Sequence, residues 1–281
     1  MKILSVVGAR PNFIKLAALC DSFGKYSEIN SFIVHTGQHY DLSMSELFFN
    51  QLNIPTPNIN LGVGSGSQAI QTARIMECFE PVLKQQCPDL VVVFGDVNST
   101  MACALVSTKL GIPVAHIEAG LRSFDKSMPE EINRIVTDAI SDILFCSEKS
   151  AVSNLIREGV HKNKIHFVGN LMIDTLLKHM NRIKQSRVPV GQPITKSNYV
   201  VATLHRASNV DNKKTLTGIF EAFLNIQLSL PVIMPIHPRT FSVVSKLPIW
   251  RNIVNAPNIK LIDPLGYFEF IKLISEAKMV I

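Results

Sequence analysis

Short, continuous apolar runs alternate along the chain with longer segments in which apolar residues recur at helical spacing. The sequence LVVVF at residues 90–94 is the clearest run, and it indicates a strand that is buried on both faces of a sheet. Residues 67–86, in contrast, carry apolar side chains at the spacing of one helix face, which predicts a long helix. Strands that alternate with helices in this way indicate βαβ units and therefore a parallel sheet.

The pattern occurs twice, and the second half also contains a polar segment at residues 181–197. In the first half it predicts strands at residues 3–7, 32–35, 90–94, 113–117, 142–146 and 165–168, and helices at residues 10–22, 43–52, 67–86, 98–110, 130–139 and 148–158. In the second half it predicts strands at residues 199–204, 232–236, 260–262 and 278–281, and helices from about residue 171 and at residues 213–228 and 267–277. The predicted fold is α/β, with two Rossmann-like domains at residues 1–169 and 170–281.

The last five residues, 277–281, lie within a segment that resembles a buried strand. A terminal strand without a following helix leaves one face of a parallel sheet uncovered. We therefore expect the second domain to be incomplete.

The composition is that of a globular protein. Of the 281 residues, 47% are hydrophobic and 18% are charged, which provides a sizeable core and excludes a disordered chain. The five cysteines contain no C-x-x-C pair, so neither a zinc ribbon nor a disulfide scaffold is expected. Scattered single cysteines are typical of a reducing cytoplasm.

The N-terminal apolar run is interrupted at Gly8 and Arg10, and we therefore expect no signal peptide. No run approaches the roughly 18 apolar residues that a membrane helix requires. The formal net charge of +6 favours an anionic ligand. Basic and aromatic residues do not cluster as they do in proteins that bind nucleic acids.

Ligands of open α/β sheets bind beyond the carboxyl ends of the strands, so the segments that follow the strands are the candidates. The first is GARPNFIK at residues 8–15, where Gly8 permits a tight turn and Pro11 suits the first helical turn. The helix N-terminus, Arg10 and Lys15 would together bind an anion. The alternative is an ordinary turn with solvated basic residues. A G-x-G-x-x-G sequence is lacking, so a nicotinamide cofactor is not expected.

The segment after the second predicted strand is HTGQHYD at residues 35–41, which contains two histidines and Gln38. Two interpretations are equally open for this segment. It contacts a ligand, or it is a loop held only by its own hydrogen bonds. A metal site is not expected, because no paired His or carboxylate ligands at regular spacing accompany these residues.

Three acidic residues follow successive strands. Asp96 follows LVVVF, Glu118 follows the strand at 113–117, and Glu130 opens the helix after it. Each of them could be structural, since acidic residues cap helices and stabilise the first helical turn. If the three converge on one crevice, their like charges raise one another's pKa, which is the condition for separate acid and base roles.

Two segments of the second half, LHRASN at 204–209 and PIHPRT at 235–240, place His205 and His237 beside arginines at strand ends. This set suits a diphosphate, which arginine binds in a bidentate manner. With the acids in the first domain and these basic groups in the second, the sequence predicts a site in an interdomain cleft.

The order of these motifs resembles that of the UDP-N-acetylglucosamine 2-epimerases, in particular their non-hydrolysing bacterial and archaeal branch. The motifs are GARPNFIK, HTGQHYD, FGDVNST, HIEAGLRS, MPEEINR, TLHRASN and PIHPRT. The resemblance implies a GT-B-like fold, a homodimer, and interconversion of UDP-GlcNAc and UDP-ManNAc without NAD or any other cofactor. In that reaction UDP is eliminated to give 2-acetamidoglucal and is then re-added with C2 inverted.

The resemblance also implies residue roles. It assigns acid–base catalysis to Asp96, Glu118, Glu130 and His205. It assigns substrate binding to Arg10, Lys15, Arg134 and His237. It implies a regulatory UDP-GlcNAc site near Gln38, His39 and Arg74.

The chain departs from the family at two points. Ser208 stands where the family usually has the Glu of a His-Arg-x-Glu-Asn sequence, so one polar contact is in doubt. The family also continues beyond the position of Ile281 into an Asp-Ser-Gly-Gly loop and a Glu that hold the uridine ribose and phosphate. We therefore expect weak UDP binding and poor catalysis by the 281-residue chain.

Three other functions remain open. The first is that of the hydrolysing relatives, which release ManNAc and UDP but usually lack the Arg-Pro-x-x-Ile-Lys run found here. The second is a non-catalytic protein that binds sugar nucleotides. The third is a GT-B glycosyltransferase, although three acids at strand ends exceed what that reaction needs.

Overall fold

The structure is a computed structural model, and it describes residues 1–38, 42–190, 195–204 and 207–281. The described chain forms two compact units, Met1–Lys178 and His179–Ile281. The division lies within a helix, whereas the boundary proposed from the sequence lies just before it. The start of this helix belongs to the first unit because the Thr175 hydroxyl donates a hydrogen bond to the Ile14 carbonyl at 2.7 Å.

The first unit is built on a seven-stranded sheet. Its strands are β1 (Lys2–Val7), β2 (Asn30–His35), β3 (Ile59–Asn60), β4 (Leu90–Phe94), β5 (Val114–Ile117), β6 (Ile143–Cys146) and β7 (Ile165–Phe167). Its helices are α1 (Arg10–Phe23), α2 (Leu42–Leu52), α3 (Gln68–Gln86), α4 (Asn98–Lys109), α5 (Pro129–Ile140) and α6 (Lys149–Arg157), followed by α7 (Leu171–Gln185), which continues into the second unit.

The strand order is β3-β2-β1-β4-β5-β6-β7, and every neighbouring pair is parallel. All carboxyl ends therefore lie at the same edge of the sheet. The order reverses between β1 and β4, and such a switch point is where α/β sheets open a crevice for ligands.

Burial explains why LVVVF forms the centre of this sheet. Val91 and Val93 are fully buried and pack with Ile75 and Phe79 of α3. A strand covered on both faces needs apolar residues at every position, which is the pattern that predicted it. Ser67 caps α3 by accepting a hydrogen bond from the N–H of Ile70 at 3.3 Å.

The second unit contains a four-stranded parallel sheet of order β10-β9-β8-β11. Its strands are β8 (Val200–Val201), β9 (Val232–Pro235), β10 (Ile259–Ile262) and β11 (Met279–Val280). Its helices are α8 (Ala207–Val210), α9 (Lys213–Ile226), α10 (Pro238–Val244), α11 (Trp250–Asn255) and α12 (Tyr267–Ser275). Its core includes Phe220 and Leu216 of α9 against Val232 and Met234 of β9.

Within the segment at residues 277–281 only Met279–Val280 form a strand, β11, and the expectation that this strand is buried is wrong. Met279 is 57% exposed and Val280 is 50% exposed. Within the described residues, β11 lies at an edge of the sheet and pairs with β8 alone, which accounts for this exposure. In the part of the chain that the structure describes, none of the helices is long and apolar enough to span a membrane.

Candidate active site

The candidate site begins at the switch point, where Gly8 directly follows β1. A Cβ atom at Gly8 would clash with the Ser99 hydroxyl and would lie 2.7 Å from the Thr36 hydroxyl. These two hydroxyl groups are themselves hydrogen-bonded at 2.7 Å. Glycine is therefore required for β1, the end of β2 and the start of α4 to approach one another this closely.

Asn12, in the first turn of α1, joins the ends of β1 and β4. Its Oδ1 accepts hydrogen bonds from the N–H groups of Gly8 and Ala9 at 3.1 and 3.0 Å, and its Nδ2 donates to the Phe94 carbonyl at 3.1 Å. The side chain is buried, so these bonds are shielded from water. Asn12 thus fixes the start of α1, which carries Arg10, relative to the end of β4.

Gly95 follows β4 and lies at the centre of the site. Its φ of +66° is in the left-handed region, and a Cβ there would lie 3.2 Å from Lys15 Nζ and 3.3 Å from Glu118 Oε2. Lys15 and Glu118 form an ion pair, with side chains that are only 6% and 21% exposed. The structure therefore brings the predicted anion-binding lysine and one predicted acid to a single point.

Glu118 has an unusual backbone conformation, with a φ of +73°. A non-glycine residue pays of order 1–3 kcal/mol for a sparsely populated conformation, and such residues concentrate at functional sites. The N–H groups of Glu118 and Ala119 both donate to the Phe145 carbonyl at 3.0 Å, which holds the turn in place. The strained turn directs the Glu118 carboxylate towards Gly95.

Asp96, the next predicted acid, is held by α5. Its carboxylate accepts a hydrogen bond from Nε of Arg134 at 3.1 Å and lies 3.0 Å from Nη2 in an ion pair, and its backbone carbonyl accepts a hydrogen bond from Asn133 at 2.8 Å. The Asp96 side chain is 37% exposed, so it is partly open to a ligand. Arg134, predicted to bind substrate, thus contacts a predicted catalytic acid.

Glu130 and Glu131 are adjacent in the first turn of α5, but they have different environments. The buried carboxylate of Glu131 accepts hydrogen bonds from the N–H groups of Ser123 and Phe124 at 2.9 Å and from Arg134 at 2.5 Å. Burial alone would raise the pKa of Glu131, but the two backbone bonds and the Arg134 bond outweigh it and lower the pKa. Glu131 therefore anchors the loop before α5.

Glu130 is half-buried, and it makes no hydrogen bond or ion pair within the described ranges of the chain. It precedes Arg134 by four residues, so the two side chains lie on the same face of α5. Because Arg134 contacts Asp96, this face is the one that borders the candidate site. Arg10, at the first position of α1, is half-buried and likewise has no polar partner in the described ranges.

Gln38 lies beside the start of α4. Its Oε1 accepts hydrogen bonds from the N–H and the hydroxyl of Ser99 at 3.1 and 2.7 Å, and its carbonyl accepts one from Gln71 at 3.3 Å. Arg74 is exposed on α3, one turn after Gln71. His39, the third member of the predicted regulatory set, lies outside the described residues.

In the second unit, His237 is exposed immediately before α10, where its Nδ1 accepts a hydrogen bond from the N–H of Arg239 at 3.2 Å. The Arg239 guanidinium is paired with Asp211 at 2.7 Å. His205 lies outside the described residues. A cavity of about 750 Å³ opens at the carboxyl ends of β9 and β10, and its lining includes Ile236, Pro238, Phe241, Trp250, Asp263 and Pro264.

Sequence reasoning missed several residues of the site, among them Asn12, Asn133, His116 and Asp138. His116 is in β5, and its ring contacts both the Gly95 carbonyl and Asp138 at 2.7 Å. The only sequence signal for His116 was a polar residue within an otherwise apolar strand, and the other three residues lie on helices. A group of three His, Cys, Asp or Glu side chains that could hold a metal ion does not occur among the described residues.

Comparison with known proteins agrees with this architecture. The family model described as UDP-N-acetylglucosamine 2-epimerase matches residues 22–281. The chain is 46% identical to a UDP-N-acetylglucosamine 2-epimerase homolog of Methanococcus maripaludis, over 100% of this chain and 78% of that protein. It is 43% identical to the UDP-2,3-diacetamido-2,3-dideoxy-D-glucuronate 2-epimerase of Pseudomonas aeruginosa, over 100% of this chain and 77% of that protein.

The structure is also similar to the crystal structure of the Methanocaldococcus jannaschii UDP-GlcNAc 2-epimerase in complex with UDP-GlcNAc and UDP. The TM-score is 0.90 at 40% sequence identity, and the match covers 100% of this chain and 78% of that chain. The predicted α/β fold with two Rossmann-like parallel sheets, of the GT-B-like type, is thereby confirmed. The chain belongs to the UDP-N-acetylglucosamine 2-epimerase family and is an enzyme of that family.

Proposed function

We propose that this protein interconverts UDP-N-acetylglucosamine and UDP-N-acetylmannosamine by eliminating UDP and re-adding it with C2 inverted. The observation that supports this most directly is the meeting of Lys15 and Glu118 beside Gly95, at the switch point of the first sheet. A cation for the leaving diphosphate and a carboxylate for the sugar proton are the two groups that the reaction needs at neighbouring positions.

The chemistry explains why both groups are required. The proton on C2 is not adjacent to a carbonyl group, so its removal must be coupled to the loss of a good leaving group. As a carboxylate takes the C2 proton, the C1–O bond breaks, its electron pair leaves with UDP, and a C1–C2 double bond forms. In the second step the UDP oxygen attacks C1 while a proton is delivered to the opposite face of C2.

In this proposal, the negative charge of the leaving UDP is stabilised by Arg10, Lys15 and the N-terminus of α1. Cations and backbone N–H groups that are already oriented stabilise developing charge on a leaving group most effectively. A diphosphate bound at this helix would compete with Glu118 for Lys15. The release of the Glu118 carboxylate from its ion pair would then be coupled to substrate binding.

Inversion at C2 requires proton transfer on both faces of the sugar, and one carboxylate cannot reach both. We assign the acid–base set to Glu118, Asp96, Glu130 and His205. The anchoring of Asp96 by Arg134 and the position of Glu130 on the same helix face support this assignment.

We assign the remaining predicted residues by unit. In this proposal the N-terminal domain carries the acids, and the C-terminal domain binds UDP, with His237 beside the cavity at β9 and β10. Arg134 positions Asp96 and contacts the substrate. Gln38, His39 and Arg74 belong to a second, regulatory UDP-GlcNAc site.

The experiment is incubation with UDP-GlcNAc in D₂O, followed by proton NMR. Deuterium at C2 of both UDP-GlcNAc and UDP-ManNAc is the expected result. Deuterium incorporation is a sensitive readout because it accumulates over long incubation. Free ManNAc would instead identify a hydrolysing enzyme, and UDP-GlcNAc binding without deuterium would identify a non-catalytic binding protein.

A second candidate substrate is a UDP-2,3-diacetamido-2,3-dideoxy-D-glucuronate, favoured by the 43% identity to the Pseudomonas aeruginosa enzyme. The same elimination and re-addition at C2 would apply, because this sugar shares the 2-acetamido group. The two sugars are compared by their kcat/KM values in parallel assays. A ratio of the two kcat/KM values above about tenfold corresponds to a difference of about 1.4 kcal/mol in transition-state binding free energy, and it would identify the preferred substrate.

We further propose that the enzyme is a homodimer that acts in the cytoplasm, where its unpaired cysteines remain reduced. Sedimentation equilibrium is the test of the homodimer, since a single species of 31.2 kDa would contradict it.

A further inference from the structure

A buried histidine supports the turn that carries Asp96. His116 lies in β5, and its side chain is completely buried. Its Nε2 is 2.7 Å from the Gly95 carbonyl, and its Nδ1 is 2.7 Å from Oδ1 of Asp138 on α5. The ring therefore connects the central glycine of the candidate site to a helix on the sheet.

The partners of the ring determine where its protons are. The Gly95 carbonyl can only accept a hydrogen bond, so His116 Nε2 must carry a proton. Asp138 is also an acceptor towards its other neighbours, since its Oδ2 receives a hydrogen bond from the N–H of Gly120 at 3.0 Å and contacts Arg122 at 2.7 Å. The second contact, between Asp138 Oδ1 and His116 Nδ1, holds the ring in the plane that directs Nε2 to the Gly95 carbonyl.

Several contacts keep Asp138 ionised. Burial alone would raise its pKa, but the hydrogen bond and charge of His116 and the charge of Arg122 outweigh burial and lower the pKa. The Arg122 side chain is 1% exposed and also binds Glu158 through Nε and Nη2 at 2.8 and 2.6 Å. The buried Asp138 therefore contacts both Arg122 and His116, whereas Glu158, whose side chain is 39% exposed, pairs with Arg122 at the surface.

We propose that His116, held between Asp138 and the Gly95 carbonyl, is a positioning residue that fixes the Gly95–Asp96 turn against Lys15 and Glu118. The Gly95 N–H donates to the Ile117 carbonyl at 2.9 Å, so β5 holds this glycine through a backbone bond and through the His116 side chain. The catalytic part of this inference rests on the proposed function, whereas the hydrogen bond from the ring to Gly95 does not.

The first test is nitrogen-15 NMR of the protein labelled at histidine, with no substrate present. We expect His116 Nε2 to carry a proton that is hydrogen-bonded to the Gly95 carbonyl and exchanges slowly with water, with its signal identified by its loss in His116→Gln. The exposed His161 and His166 provide reference signals from the same molecule. A His116 ring whose Nε2 carries no proton would overturn the assignment.

The second test is kinetic and compares His116→Gln with His116→Leu. The Gln side chain can still donate to the Gly95 carbonyl, whereas Leu fills similar volume without a donor. We expect His116→Leu to lower the rate of deuterium incorporation by roughly 10–100-fold, the size seen when carboxylates that orient functional histidines are removed. His116→Gln should retain most of the rate, and UDP affinity measured by calorimetry should be unchanged in both.

Equal rates for the two variants, with both folded by circular dichroism, would refute the positioning role. Asp138→Asn provides an independent variant if His116→Leu does not fold, and it should lower the rate without changing UDP affinity. If the wild-type protein acted on neither UDP-sugar, the proposed function would fail, while the NMR experiment would still decide whether His116 donates to the Gly95 carbonyl.

Discussion

The carboxyl edges of the two sheets differ in how they hold polar groups. In the described part of the chain, the buried Lys, Asp and Glu residues all lie in the first unit, and they are Lys15, Glu131 and Asp138. In the second unit, the charged pair nearest to the sheet edge is Arg239 with Asp211, which are 57% and 51% exposed. The cavity there is lined largely by apolar side chains.

This difference is consistent with the two physical tasks that the proposed reaction requires of the two units. Proton transfer requires groups whose charges and orientations are fixed before the substrate arrives, because reorientation during the reaction adds to the barrier. Binding a nucleoside requires surface and a few polar contacts, which exposed groups at an apolar cavity provide. The first unit therefore carries a rigid electrostatic network. Substitutions in this network should lower activity or stability far more than substitutions at the carboxyl edge of the second sheet.

Glu118→Gln should have the largest effect. The change removes the carboxylate while it keeps the side-chain shape, and loss of a general acid or base lowers rates by roughly 10²–10⁴-fold. The rate of deuterium incorporation from D₂O measures the effect, and calorimetry with UDP checks that binding persists. The matched control is Glu148→Gln, since Glu148 is exposed and contacts Ser150 on the surface. Full activity of Glu118→Gln would remove Glu118 from the acid–base set.

Substitutions of the adjacent residues Glu130 and Glu131 should affect different properties. The change at Glu131 should lower stability, and the change at Glu130 should lower activity. Glu131→Gln loses the charge-assisted hydrogen bonds from Ser123, Phe124 and Arg134, which are worth roughly 1.5–3 kcal/mol of unfolding free energy. Glu130→Gln, in the same helical turn, should lower the rate and leave the unfolding free energy nearly unchanged. Urea denaturation measures the unfolding free energy, and deuterium incorporation measures the rate. A loss of stability in Glu130→Gln instead of Glu131→Gln would contradict the described contacts.

The effect of Glu131→Gln should depend on pH. The pKa of Glu131 is lowered in the folded state, so its stabilisation is complete above the unfolded pKa of about 4.3. As the pH falls from this value through the lower folded pKa, the proton must be taken up and the stabilisation is lost. The wild-type and Glu131→Gln proteins should therefore approach equal stability in acid, and a difference that persists unchanged would contradict this origin.

Gly95→Ala should have an intermediate effect, and Gly111→Ala is its matched control. Both glycines have positive φ, +66° and +72°, so alanine should cost each of them roughly 1–2 kcal/mol of unfolding free energy. Only at Gly95 would the added Cβ approach Lys15 and Glu118, whereas nothing lies within 4 Å of it at Gly111. Activity should fall in Gly95→Ala alone. Equal activity in both variants would show that Gly95 is not part of the site.

The sequence predicted the parallel sheet because continuous apolar runs have one physical cause, burial on both faces. It also predicted that acids and basic residues would follow the strands, and the structure brings Lys15 to Glu118 and Asp96 to Arg134. The pairing within these sets could not be predicted, since it depends on tertiary distances. The left-handed conformation of Glu118 has no sequence signal, because glycine is the usual residue at positive φ.

Asp138 shows why the supporting network escaped prediction. It lies near the end of α5, where an acidic residue normally indicates a solvent-facing position and is unfavourable to the helix dipole. Only the packing of α5 against β5 places it beside His116 and Arg122. The short β3, α8, α10 and α11 were also missed, since elements of two to seven residues carry too few positions to show a period.

Arg239→Ala should have the smallest effect and completes the comparison of the two edges. The ion pair with Asp211 is more than half exposed on both sides, and such pairs contribute about 0–1 kcal/mol, which salt reduces further. Urea denaturation at low and high salt should therefore give nearly the same unfolding free energy for Arg239→Ala and wild type. UDP affinity is the sharper readout, because a diphosphate bound at this edge would gain a bidentate contact from Arg239 that alanine cannot make. Unchanged affinity with unchanged stability would leave Arg239 as a solvated surface residue, and a loss of stability above 1 kcal/mol would show that the second edge also depends on fixed charges.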